Sequence, residues 1–150
     1  MSIKALVLFS GGQDSATCLA QAVEEFGTNV HCLGIQYGQL HSIELVQASK
    51  IAALAGVSFD TIDLSFISVL SENALTNAAI PIEHHQGQLP STFVEGRNLF
   101  FLSSAAVVAK KMGISILYTG VCQTDYSGYP DCRDDFITSL QTTVSLALDY

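Results

Sequence analysis

An alternation constrains this chain more than any other feature: short apolar runs are separated by segments with a helical period. Residues 3–9, 30–37, 57–64 and 114–118 read as strands, several of them near-continuous in apolar side chains. Parallel strands buried on both faces have that pattern. Residues 15–26, 42–55, 98–112 and 134–148 read as helices. Gly27, Gly56 and Gly113 stand where three of them should stop, and Lys110 and Lys111 lie in a last turn, where cations complement the helix dipole. In the second helix Leu45, Ala48, Ala52 and Ala55 fall on one face. Asp134 and Asp135 open the fourth, where acids suit a helix N-terminus. Strand and helix taking turns in this way specify an α/β fold, an open parallel sheet of about four to five strands with helices on both faces, Rossmann-like in character. Residues 65–97 break the rhythm with Pro81, Gly87, Pro90 and the pair His84 and His85, so a long loop with one short helix is expected there.

Composition sets the outer limits. At 150 residues and 49% hydrophobic, the chain can bury a single core, and one domain over residues 1–150 is expected. A net charge of −8 opposes polyanions, which argues against nucleic acid and for a small-molecule partner. The first apolar run is too short for a secretory leader, and nothing approaches the roughly 20 apolar residues of a membrane span, so a cytoplasmic protein without a membrane partner is expected. Cys18, Cys32, Cys122 and Cys132 lack the short paired spacing of a closed zinc site. They read as core or loop thiols, and no partner histidine marks Cys122 or Cys132 as a nucleophile.

Directly after the first strand comes SGGQDS, residues 10–15. Gly11 and Gly12 allow a tight turn and the close approach of a ligand, and Ser15 begins a helix whose unpaired amides favour an anion. The spacing is neither GxxxxGK[ST] nor GxGxxG, which excludes Walker and dinucleotide loops. In an open α/β sheet ligands lie beyond the carboxyl ends of the strands, and Ser10, Tyr37, Thr119 and Gly120 all fall there. Arg97 offers a planar fork of donors suited to bidentate phosphate contact. Asp14 suits a magnesium ion or water beside the phosphates rather than the phosphates themselves.

The motif S-G-G-x-D-S after an N-terminal strand resembles the pyrophosphate loop of the N-type ATP pyrophosphatases, which split ATP into AMP and pyrophosphate. With FSGGQDSATCLAQA, YGQLH, FVEGRN and TGVCQTDYSGYPDCRDDF in this order, the chain resembles the 7-cyano-7-deazaguanine synthases of the queuosine pathway over nearly its whole length. That resemblance implies an adenine nucleotide alpha hydrolase-like fold, ATP and Mg2+ as cofactors, and a homodimer. It implies conversion of a deazapurine carboxylate and ammonia to a nitrile through adenylated intermediates. Phe9, Ser10, Gly11, Gly12, Gln13, Asp14, Ser15, Arg97 and Gly120 would then bind the nucleotide, with Asp14 and Arg97 catalytic. Tyr37, His41, Asn98, Thr124, Asp125, Tyr126, Ser127, Tyr129 and Asp131 would face the second substrate. Tyr126 or Tyr129 would stack on its ring, and Asp125 or Asp131 would accept its N–H donors. The family more often has arginine at the position of Leu40 and an acid at that of Gln36. It also binds Zn2+ through a cysteine cluster in a further C-terminal segment, so no zinc is expected on these 150 residues. The alternatives carried are a related adenylating enzyme, such as a tRNA-modifying thiolase or an amidotransferase-type synthetase, and a non-catalytic ATP-binding module.

Overall fold

A computed structural model describes residues 2–37, 43–70, 95–121 and 129–150. Strands β1 (Ala5–Leu8), β2 (Val30–Gln36), β3 (Ser58–Asp63) and β4 (Ile116–Tyr118) form one parallel sheet in the order β3-β2-β1-β4. Helices α1 (Gln13–Phe26), α2 (Ile43–Leu54), the short α3 (Ile67–Leu70), α4 (Arg97–Lys111) and α5 (Asp134–Leu148) connect and cover it. A 3-10 turn, Pro130–Cys132, precedes α5.

Direction of travel decides which face each helix covers. From β1 the chain steps outward through α1 to β2 and through α2 to β3, and right-handed crossovers put both helices on one face. Leu19 and Ala22 of α1 and Ala48 and Ala52 of α2 accordingly pack with Val7, Phe9, Val30 and Cys32. The chain then returns through α4 to β4 on the other side of β1, which puts α4 on the opposite face, where Ala105 and Ala109 meet Leu6, Leu33 and Ile114. Ile67 of α3 closes a third cluster with Ile35 and Leu64.

The two central strands, β1 and β2, are the apolar runs and are buried almost throughout. β3 alternates polar and apolar residues and is an edge of the sheet among the described residues. Helix boundaries sit within two residues of the expected ones, and one difference matters: α4 begins at Arg97 rather than Asn98. Gly96, at φ +68°, turns the chain into the helix from the left-handed region, so Arg97 is already its first residue. Of the region expected to be a long loop, α3 supplies the short helix, and residues 71–94 lie outside the described ones. Cys32 is buried in the core, and burial pushes its thiol up to about 12; Cys18 packs at the edge of the same cluster. Both are core thiols, as expected, while Cys122 lies outside the described residues.

β2 also buries a titratable group. His31 is 2% exposed, its Nδ1 hydrogen-bonded to Ser58 Oγ on β3 at 2.8 Å, with Asp60 Oδ2 3.6 Å from Nε2. Burial holds the imidazole below its ordinary value, outweighing the opposite pull of the solvated Asp60 carboxylate. The folded state therefore prefers neutral His31, so this contribution to stability is complete above about pH 6.5 and is lost as the pH falls through the lowered folded value. We expect the urea midpoint to drop between pH 7 and pH 5, and His31→Gln to flatten that part of the profile. An unchanged slope in the variant would remove His31 as its source.

Candidate functional site

The strand order reverses at β1, whose neighbours β2 and β4 carry the chain away in opposite directions. Loops leaving adjacent strands diverge at such a point and leave a crevice beyond the carboxyl ends. A cavity of about 330 Å³ lies there, lined among others by Ser10, Gly12, Gln13, Asp14 and Ser15, by Tyr37 and Glu44, by Arg97 and Asn98, and by Thr119 and Gly120. The lower limit for small-ligand pockets is about 300 Å³. A second cavity of about 450 Å³ between α4, β4 and α5 has a mainly apolar lining, with no charged side chain among its described residues.

The loop at the exit of β1 is held by its own hydroxyls. Ser15 Oγ donates to the carbonyl of Gly12 at 3.0 Å and lies 3.2 Å from Ser10 Oγ, which accepts from the Gly12 N–H at 3.3 Å. A hydroxyl has one proton, so with Ser15 donating to Gly12, Ser10 must be the donor between the two serines. The serines thus brace the turn rather than cap the helix: Gly12 is the N-cap of α1 and has no side chain to offer. The first intrahelical bond runs from Ala16 N–H to the Gly12 carbonyl. The N–H groups of Gln13, Asp14 and Ser15 therefore have no acceptor within the helix, and these residues line the cavity. Three such amides at the positive end of a 14-residue helix form a site for an anion.

The two loop glycines have different reasons to be there. Gly11 has φ +82°, and a Cβ on it would lie 3.2 Å from the backbone of Ala48 on α2, so conformation and packing both require glycine. Gly12 has φ −75° and ψ 167°, extended backbone open to any residue, and a Cβ there would meet Ser10 Oγ at 3.3 Å. The conformational freedom expected of both glycines is used by Gly11. Gly12 instead keeps the cavity wall low. Gly120, beyond β4, is a further requirement: a Cβ would lie 2.9 Å from Asp14 Cβ and 3.0 Å from its carbonyl carbon. The loop after β4 thus rests directly on the first turn of α1.

Opposite stands α4. Arg97 lines the cavity from the helix's first position, its guanidinium carbon 6.0 Å from the ring centroid of Tyr129. A cation at a helix N-terminus opposes the dipole by about 0.3–1 kcal/mol. Asn98, 9% exposed, is tied to the turn at Pro130–Cys132. Its backbone N–H donates to Asp131 Oδ2 at 2.8 Å, and its Nδ2 donates to the Asp131 carbonyl at 3.1 Å and to Cys132 Sγ at 3.2 Å. Both amide protons have acceptors inside the protein. Asp131 is 8% exposed and lies behind the helix start rather than in the cavity lining. Tyr37 lines the cavity and packs on Phe101, ring centroids 5.1 Å apart.

Of the residues expected to form the site, the structure brings together Phe9, Ser10, Gly12, Gln13, Asp14, Ser15, Tyr37, Arg97, Asn98 and Gly120 as cavity lining. Gly11 supports the loop from behind, Tyr129 flanks Arg97, and Asp131 stands one layer back. His41, Thr124, Asp125, Tyr126 and Ser127 lie outside the described residues. Glu44, in the first turn of α2, also lines the cavity and was not expected; nothing in its local sequence marks it, since an acid at that position is ordinary helix chemistry. Among the described residues no group of three or more His, Cys, Asp or Glu could hold a metal ion, and no described helix is long and apolar enough to cross a membrane.

The family model for queuosine biosynthesis protein QueC matches residues 4–150. Among solved structures, the fold is similar to a predicted subunit of tRNA methyltransferase from Methanocaldococcus jannaschii, at a TM-score of 0.58 and 19% identity over 95% of this chain. It is also similar to the NH3-dependent NAD synthetase of Campylobacter jejuni, at a TM-score of 0.54 and 16% identity over 99% of this chain. The chain spans 64% of the length of the first and 67% of the second. Likeness at such identities speaks for the fold alone, which is that of the adenine nucleotide alpha hydrolases.

Gly11→Ala should lower stability by roughly 1–3 kcal/mol, combining a left-handed φ with a clash against α2. Gly12→Ala should leave the unfolding midpoint within about 0.5 kcal/mol of the parent. Urea unfolding of the two variants checks the assignment, and equal losses would refute it.

Proposed function

The chain belongs to the QueC family of queuosine biosynthesis proteins, and on that premise we propose that it is an ATP-dependent ligase converting 7-carboxy-7-deazaguanine and ammonia to 7-cyano-7-deazaguanine. The observation that carries this reading is the meeting of three helix-start amides at Gln13, Asp14 and Ser15 with the Arg97 guanidinium across one cavity. A polyphosphate suits such a pairing, with backbone donors on one side and a fork of charged donors on the other.

The chemistry follows from what the substrate lacks. A carboxylate is a poor electrophile, so its oxygen attacks the α-phosphorus of ATP, pyrophosphate leaves, and an acyl-adenylate forms. Ammonia displaces AMP to give the amide. A second ATP adenylates the amide oxygen; that oxygen departs with AMP, the nitrogen loses its protons, and the nitrile remains. The chain's own groups orient and stabilise rather than react. The α1 amides hold the phosphates in line, and Arg97 meets the charge that builds on the leaving pyrophosphate. Phe9 and Gly120 form the walls beside them, and Tyr37 offers a ring face to the deazapurine. His41, Thr124, Asp125, Tyr126, Ser127 and Tyr129 belong to the substrate side on the strength of the family resemblance.

Arg97 is the one cation among the described lining residues, facing the carboxylates of Asp14 and Glu44. Oxygen donors of this kind fit Mg2+, which would arrive with ATP and offset the phosphate charge against those carboxylates. Zn2+ finds no matching donor set among the described residues, where Cys18, Cys32 and Cys132 are dispersed over α1, β2 and the 3-10 turn. A homodimer in the cytoplasm, formed of one domain per chain and without nucleic acid, completes the proposal.

The test is incubation with ATP, magnesium, ammonia and 7-carboxy-7-deazaguanine, following AMP and nitrile together. Two AMP per nitrile are expected; ATP bound without AMP release would favour a non-catalytic nucleotide-binding module. Arg97→Lys should slow AMP formation by roughly 10- to 100-fold while changing ATP affinity less, because the charge remains and the bidentate geometry is lost. Equal rates in the two proteins would take Arg97 out of the reaction.

A further inference from the structure

Arg97 owes its place to a helix that cannot start itself. The N-cap of α4 is Gly96, which has no side chain, and the first turn of α4 carries no acid of its own. A cation stands there instead, against the dipole. The missing cap comes from 33 residues further along the chain, where Asp131 accepts the Asn98 backbone N–H through Oδ2 and the Asn98 side-chain amide through its carbonyl. The same turn sets Tyr129 beside the Arg97 guanidinium. Pro130, between them, narrows the backbone freedom of that turn.

We propose that Asp131 is a positioning residue: by capping α4 from outside, it fixes the direction in which Arg97 enters the cavity. It makes no contact with substrate in this role, although its place in the sequence motif suggested one. Asn98 is the link, gripped at both its backbone and its side chain, one residue from Arg97. Two features support the assignment. Asp131 is buried with Oδ2 bonded to the helix start, and Tyr129 of the same turn has its ring centroid 6.0 Å from the Arg97 guanidinium carbon.

The inference rests on the proposed ATP reaction for its kinetic readout, so the experiment has two arms. In the first, Asp131→Ala should lower turnover of ATP to AMP by roughly 100-fold with an ATP KM within about threefold of the parent. Asp131→Asn, which keeps an oxygen acceptor, should recover most of the rate. In an Arg97→Ala background, Asp131→Ala should cost no more than about twofold further, because the residue it positions has gone. A full loss in both backgrounds, or no loss in either, overturns the proposal. The second arm needs no turnover. The chain has two arginines, Arg97 and Arg133, so the side-chain Nε–H signals of 15N-arginine-labelled protein are readily assigned. Asp131→Ala should make the Arg97 signal mobile on the nanosecond scale while Arg133 is unchanged, and Asp131→Asn should restore it. An ordered Arg97 in folded Asp131→Ala overturns the proposal even if the parent makes no AMP, an outcome that would itself sink only the ATP reading.

Discussion

The site depends on β1 having partners on both sides. Ala5 pairs with Val30 on one flank and with Ile116 on the other, and this shared register brings the exits of β1 and β4 level. Gly120 can then lie against Asp14 with no side chain between them, and the start of α1 opens into the crevice. Were β4 to slip by one residue, its alternation would invert and the loop after it would no longer reach the helix. The local electrostatics follow from the same arrangement. In a chain of net charge −8, one oriented helix terminus and one guanidinium give this cavity local positive character against the overall field.

Much of this was legible in the sequence because the signals involved are local. Apolar runs gave the strands, glycines and lysines gave the helix ends, and α5 (Asp134–Leu148) falls where its pair of aspartates placed it. The loop SGGQDS drew attention to the exit of β1, and most of its residues line the cavity there. Periodicity also showed, with hindsight, that β3 is an edge: SFDTID alternates as a half-exposed strand does.

What the sequence withheld was contact over distance. Nothing around Gly120 says that its missing Cβ makes room for Asp14, and nothing near Gly11 distinguishes its left-handed φ from the extended backbone of Gly12. Glu44 is an unremarkable helix acid until α2 is packed beside β2. Asp131 is the plainest case: nothing in its acidic loop motif tells that its carboxylate accepts the Asn98 backbone N–H at the start of α4. Propensity reports on neighbours within a turn or two, whereas a cap supplied from 33 residues away is a property of the folded chain.

Capping from a distance also limits how such a chain can vary over generations. An ordinary helix that loses its cap can regain one by a single change at the residue before its first turn. At α4 that residue is Gly96, whose φ of +68° disfavours serine and threonine, so a local repair there carries a backbone cost. Removal of the Asp131 carboxylate would therefore leave the Asn98 N–H without an acceptor that position 96 readily replaces.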